Sequence, residues 1–181
     1  MPTRLGILCD RVIEAGWLAA VVLVPLWFNI YSARTFEPDK ITLMRSIAIV
    51  MALAWLIKVA EHGIGQIRPT QPSAEVDTPS SLPWGQRLLR VPLLVPLLLV
   101  ILAYLVSTAL SISPTVALWG SYQRLQGTYT AFSYIVIFAL VASHLRTRAQ
   151  LDRLMTTIIL TSLPVGLYGI IQRYGLDPLP W

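Results

Sequence analysis

The chain is predicted to be an all-α, polytopic membrane protein with about five transmembrane helices, its N-terminus cytoplasmic and its C-terminus external. Three observations lead there. Of 181 residues, 55% are hydrophobic and only 13% charged, whereas an ordinary soluble domain carries roughly 25% charged residues. The apolar residues come in blocks, not in stripes of period 2 or 3.6. Blocks of about 17–22 apolar residues are long enough to cross a hydrocarbon core of about 30 Å as helix.

The first predicted span is 12–31 ("VIEAGWLAAVVLVPLWFNIY"). Trp17 and Trp27 lie towards its ends, where amphipathic rings favour the membrane interface. Pro25 is tolerable in such a helix when neighbours satisfy the freed carbonyl. The second span is 41–59, with Arg45 in its first turn and Lys58 near its end, both placed to snorkel to a headgroup layer. The third, 91–112, is the most lipid-like and holds Pro92 and Pro96 early. The fourth, 129–145, is short. The fifth, 154–171, contains Pro164, Gly166 and Gly169, consistent either with close helix contact or with the general frequency of Gly and Pro in membrane helices.

Counting Lys and Arg sets the orientation. Arg4, Arg11, Lys58, Arg68, Arg87, Arg90, Arg146, Arg148 and Arg153 fall on one side; Arg34, Lys40, Arg45, Arg124 and Arg173 fall on the other. The richer side is expected to face the cytoplasm. The chain divides into two spans (1–67), a Pro/Ser-rich cytoplasmic linker (68–90), and three spans (91–181) with an external loop at 113–128. Within the linker, "RPTQPSAEVDTPSSLP" has too little apolar content to order itself. The net charge of +5 then reflects topology-setting loops and not nucleic-acid binding.

Several chemistries lack their parts. The one cysteine, Cys9, excludes an internal disulfide framework or a CxxC site and reads as a small residue near a membrane face. There is no HExxH, GxSxG or Walker A pattern. Asp10, Asp39 and Asp152 are expected in loops, and no carboxylate pair sits at helical spacing deep in a span, so neither metal nor cofactor is expected. His62 and His144 read as interfacial polar residues. The N-terminus is not a clean signal peptide, because Asp10 and Glu14 interrupt it. A small transporter would need mid-membrane polar groups, and the spans offer chiefly Ser107, Thr108 and the cluster Thr156–Ser162.

The external side is richer. It collects Arg34, Lys40, Arg45, Arg124 and Arg173 among Tyr31, Trp119, Tyr122, Tyr129 and Tyr174. Guanidinium groups match phosphate bidentately, and aromatic faces stack on sugar rings. A phosphorylated glycolipid fits these residue types; so does an aromatic belt with basic anchors.

Three stretches in order bear on that choice: "FEPDKITLMR" (Phe36–Arg45), "SPTVALWGSYQRLQGTYTAFSY" (Ser113–Tyr134) and "GIIQRYGLDPLPW" (Gly169–Trp181). Their order resembles the N-terminal part of the O-antigen ligase and O-antigen polymerase superfamily, bacterial inner-membrane glycosyltransferases of the GT-C type. The resemblance covers nearly the whole chain outside the linker, and the WGSxxRxxG pattern carries most of its specificity. It implies a donor glycan linked to undecaprenyl diphosphate, transferred on the external face without nucleotide sugar or metal. It further implies diphosphate or glycan contacts from Arg124, Arg45, Arg34, Trp119 and Tyr122, with Gly120 and Gly127 allowing a tight turn and Trp119 anchoring the loop. The family's acceptor-activating histidine lies in a later external loop with no counterpart here, so these residues are not expected to catalyse alone. The expected partners are membrane lipids, a lipid-linked glycan and other membrane chains. The alternative is a non-catalytic subunit of a larger, energy-converting membrane complex.

Overall fold

The computed structural model describes residues 4–27, 37–62, 93–122 and 124–175. Among these the fold is all-helical: α1 (Arg4–Leu26), α2 (Glu37–His62), α3 (Leu94–Ala109), the short α4 (Pro114–Trp119), α5 (Thr128–His144) and α6 (Arg148–Arg173). Two helical stretches, Glu37–Glu61 and Arg148–Arg173, are long and apolar enough to cross a membrane; α3 and α5 are apolar but shorter. Arg34 and the linker 68–90 lie outside the described residues, as do Tyr31 and Pro92.

Apart from α3, which runs Leu94–Ala109 inside the predicted 91–112, the helices of the predicted spans begin earlier than the apolar blocks do. α1 starts at Arg4, not near residue 12, and α6 at Arg148, not 154. The early start of α6 has a local cause. Thr147 accepts a hydrogen bond from the Gln150 amide, while the Gln150 side chain accepts from the Thr147 amide. This reciprocal cap satisfies amides that a helix otherwise leaves unpaired. Asp10, Asp39 and Asp152, expected in loops, are therefore helical residues of α1, α2 and α6.

The core lies where α1, α2 and α5 meet. Cys9, Ile13, Trp17, Met51, Ala54 and Leu140 are buried together there. Residues 9, 13 and 17 recur every four positions, one face of an α-helix. Two expectations change as a result. Trp17 is only 2% exposed and is a core residue, not an interfacial anchor, and Cys9 is buried with it. With α1 beginning at Arg4, Trp17 falls mid-helix on the face that meets α2. Gly16 lets the two helices approach, since a Cβ there would stand 2.5 Å from Met51 Cγ and 2.9 Å from its Sδ.

α3 packs on α4 and α5, whereas α6 packs on α1 and on no other described helix. Thr161 is the one buried residue of α6. A Cβ added at Gly166 or Gly169 would meet nothing within 4 Å. Close helix contact at these glycines is therefore absent among the described residues. Wide apolar faces of α3 and α6 remain exposed, including Leu98, Leu102, Leu105, Ile159, Leu163 and Leu167. Such area is abnormal on a protein in water and normal on one in lipid.

Gly16→Leu is expected to destabilise the fold by about 1–3 kcal/mol, because the added side chain drives into buried Met51. Thermal unfolding in detergent, followed by helical circular dichroism, measures it. An unchanged midpoint would mean that α1 and α2 do not pack through this glycine.

Candidate functional site

The loop between α4 and α5 is built on two glycines. Gly120 has φ +89°, in the left-handed region, where a side chain is strained. Any Cβ there would also overlap the backbone of Leu125 and Gln126. A Cβ on Gly127 would overlap Gly120 N and Leu118 O. The two glycines thus press backbone to backbone and close residues 120–127 at its neck, as expected for a tight turn. Leu125, at φ +52°, completes the reversal.

Arg45 holds that neck. It stands in α2, is only 8% exposed, and projects its guanidinium into the closed loop. Its Nη2 donates to Leu125 O at 2.6 Å, Thr130 Oγ1 at 2.6 Å and Trp119 O at 3.1 Å. Its Nε also donates to Thr130 Oγ1 at 3.0 Å. The Thr130 hydroxyl in turn donates to Leu125 O at 2.7 Å. The guanidinium carbon lies 4.7 Å from the centroid of the Tyr129 ring, in cation–π range. One charged fork therefore joins carbonyls on both sides of the neck to the first turn of α5. In place of the snorkelling expected of it, Arg45 is buried, with its donors on the Trp119 and Leu125 carbonyls and the Thr130 hydroxyl.

Thr128 supplies a second tie. Its hydroxyl donates to Ala117 O at 3.1 Å and hydrogen-bonds the Thr108 hydroxyl, while Thr108 reaches Tyr104 O at 2.7 Å. α3, α4 and α5 thus meet at one buried threonine.

The remaining predicted residues lie on the outside of this scaffold. Arg124 is exposed, its Nε 3.8 Å from Glu37 Oε2 at the start of α2. Trp119 is half exposed, its ring centroid 5.5 Å from that of Tyr129 at a tilt of 55°. Tyr122 is exposed. The structure thus brings Arg124, Trp119 and Tyr122 onto one loop and places Arg45 beneath it. Arg124 is the member whose guanidinium is turned to solvent and can meet an external anion.

A polar network that the sequence did not reveal lies near the other end of α2. Lys58 Nζ donates to Asp10 Oδ1 at 2.5 Å. His144 Nε2 lies 3.5 Å from that same oxygen, and His144 Nδ1 lies 3.0 Å from Leu140 O. Alongside, Glu14 accepts from Arg153 at 2.8 Å and from the Gln150 amide group at 3.2 Å. Lys58 and His144 are therefore paired groups, not solvated interfacial ones. The signal available was the i, i+4 spacing of Asp10 and Glu14, which counts only once α1 is known to begin at Arg4. Among the described residues no group of three or more His, Cys, Asp or Glu is arranged to hold a metal.

Removing the fork and removing the outer arginine have different expected effects. Arg45→Ala leaves the Trp119 carbonyl and the acceptor side of the buried Thr130 hydroxyl without a donor, while Leu125 O keeps Thr130 and the Gly127 amide, and an expected loss of about 2–4 kcal/mol follows from about 1–3 per stranded group. Arg45→Lys recovers little of this, since an ammonium cannot reproduce the planar fork. Arg124→Ala, removing a long and exposed pair, is expected to change stability by less than about 0.5 kcal/mol. Unfolding midpoints of the three variants in detergent compare them; equal losses at Arg45 and Arg124 would overturn the assignment of Arg45 as the pin. Comparison with protein-family models, with curated proteins and with solved structures finds no match to this chain.

Proposed function

We propose that the chain is the N-terminal membrane part of an O-antigen ligase- or polymerase-like protein of a bacterial inner membrane, handling a glycan carried on undecaprenyl diphosphate. In this proposal α1, α2, α3, α5 and α6 are the five spans, with the N-terminus cytoplasmic and the C-terminus external. The 113–128 loop forms one wall of an external cavity. One observation carries the proposal: the loop is held from beneath by a buried arginine while a second arginine, Arg124, is exposed on that loop, which also exposes Tyr122 and follows the half-exposed Trp119. A bare connector needs neither the pin nor the outward cation. Arg124 would meet the diphosphate and the aromatic rings the sugar or isoprenoid, while Arg45 would act by positioning the loop. No residue described here is assigned to catalysis.

The exposed length of α6 favours a second reading, a non-catalytic subunit of a larger membrane assembly. Gly166 and Gly169 face open space on a helix otherwise rich in exposed Leu and Ile, as a surface for another helix would. Co-purification with other membrane chains in fixed stoichiometry, with no affinity for lipid diphosphates, would favour the subunit.

Purified protein is expected to bind undecaprenyl diphosphate in detergent, and Arg124→Ala to weaken this at least tenfold with the unfolding midpoint unchanged, in line with about 1.5–3 kcal/mol for a hydrogen bond to a charged group. Intact binding in the variant would remove Arg124 from the diphosphate role. Orientation has a separate test. Cysteines placed by Tyr122→Cys and Arg148→Cys should label from opposite sides of the membrane, against the buried background of Cys9. Labelling from one side would overturn the five-span topology.

A further inference from the structure

α5 and α6 are joined by only three residues, 145–147, and both pack on α1, yet they do not pack on each other. Two helices leaving one short turn without touching form a wedge. Near it runs an open-sided groove of about 300 Å³, lined by Trp17, Val21 and Val24 of α1, Ile137 and Val141 of α5, and Leu154 of α6. Its volume is at the lower end for ligand pockets. The lining is aliphatic and aromatic and gives a polar ligand nothing to bond.

The end of the groove nearest the turn is different. Val141 and Leu154 lie five residues before Arg146 and six after Arg148, within about 9 Å along each helix. Arg146 and Arg148 are both exposed. Arg146 Nε is turned back to Ser143 O at 3.1 Å, and neither arginine has a carboxylate partner among the described residues. By contrast, Arg153, one turn further along, is already neutralised by Glu14. An apolar slot that opens within two turns of two exposed arginines, neither in a salt bridge and only Arg148 with a carboxylate (Asp152) one turn on, matches a molecule with an aliphatic tail and an anionic head.

We propose that this groove binds one anionic phospholipid, an acyl chain lying along Val21, Ile137 and Val141 and its phosphate at Arg146 and Arg148. The site belongs to the leaflet that the α5–α6 turn faces, and it is distinct from the loop around Arg124. It rests on the proposal that the helices span a membrane, but not on the glycan reading.

The test is native mass spectrometry of the purified full chain in detergent, with phosphatidylglycerol or phosphatidylcholine of identical acyl chains. The expected result is one retained lipid per chain, with phosphatidylglycerol favoured about tenfold, since each surface cation favours an anionic lipid appreciably. The double variant Arg146→Gln/Arg148→Gln should retain both lipids equally. Val21→Trp or Ile137→Trp, filling the slot, should lower retention of both, with circular dichroism confirming an intact fold. Equal retention by the parent protein overturns the proposal, as does a preference that survives the double variant. Retention untouched by both groove-filling variants would mean an annular lipid only. Displacement by millimolar inorganic phosphate would mean an anion site without the tail, and a protein dimer in place of the lipid adduct would mean that a second copy covers the groove. Flotation with vesicles on a density gradient separates the two levels. A chain that fails to float fails the membrane reading itself, whereas a chain that floats without lipid preference fails only this site.

Discussion

The placement of the guanidinium of Arg45 governs the half of the molecule after α2. It is a nearly buried cation, and burying a charge is costly unless every donor finds an acceptor. Here the acceptors are backbone carbonyls at Trp119 and Leu125 and the hydroxyl of Thr130. Those carbonyls can converge only because Gly120 and Gly127 permit the neck to close. The glycines, the threonine and the arginine are therefore one device. Removing any member strands the others, and for that reason their effects should not add.

Polar order at two ends and a dry middle describe the rest. The Arg45 node lies towards the start of α2 and the Lys58–Asp10–His144 node towards its end. Between them the buried side chains are mostly apolar and include Ile13, Trp17, Ala48 and Met51. Each polar node joins three segments, so the helices are fixed in register at both ends while the centre needs only shape. The α5–α6 turn, with its reciprocal Thr147–Gln150 cap, adds a third fixed point, from which α6 runs along α1 and then continues unaccompanied.

Helix content was legible from the apolar blocks because burial in lipid and burial in protein select the same residues. Helix ends were not. Asp10 reads as a loop residue and Glu14 as a boundary residue by polarity, but their charges are answered by Lys58 and Arg153 from elsewhere in the sequence, with His144 beside Asp10. No local pattern carries that information. The turn at Gly120 and Gly127 was legible, since glycine at both ends of a short connector has few other uses. The division of labour between the two arginines was not. Arg45 and Arg124 are the same residue type on the same side, and what separates them is a set of carbonyls, which have no letter in a sequence. Trp17 misled for a related reason, since its amphipathic ring suits an interface and a core equally.

The reach of Arg45 bears on how such a chain is made. Its hydroxyl partner, Thr130, is 85 residues further on, so during synthesis α2 is complete long before its acceptors exist. Until α5 emerges, the guanidinium must stay in water or among headgroups. A membrane helix holding an unanswered arginine resists full insertion. On the membrane reading proposed above, α2 would enter early only as far as Arg45 allows and would reach its final depth when the later loop takes the charge. On that reading α5 and the loop before it complete the seating of α2.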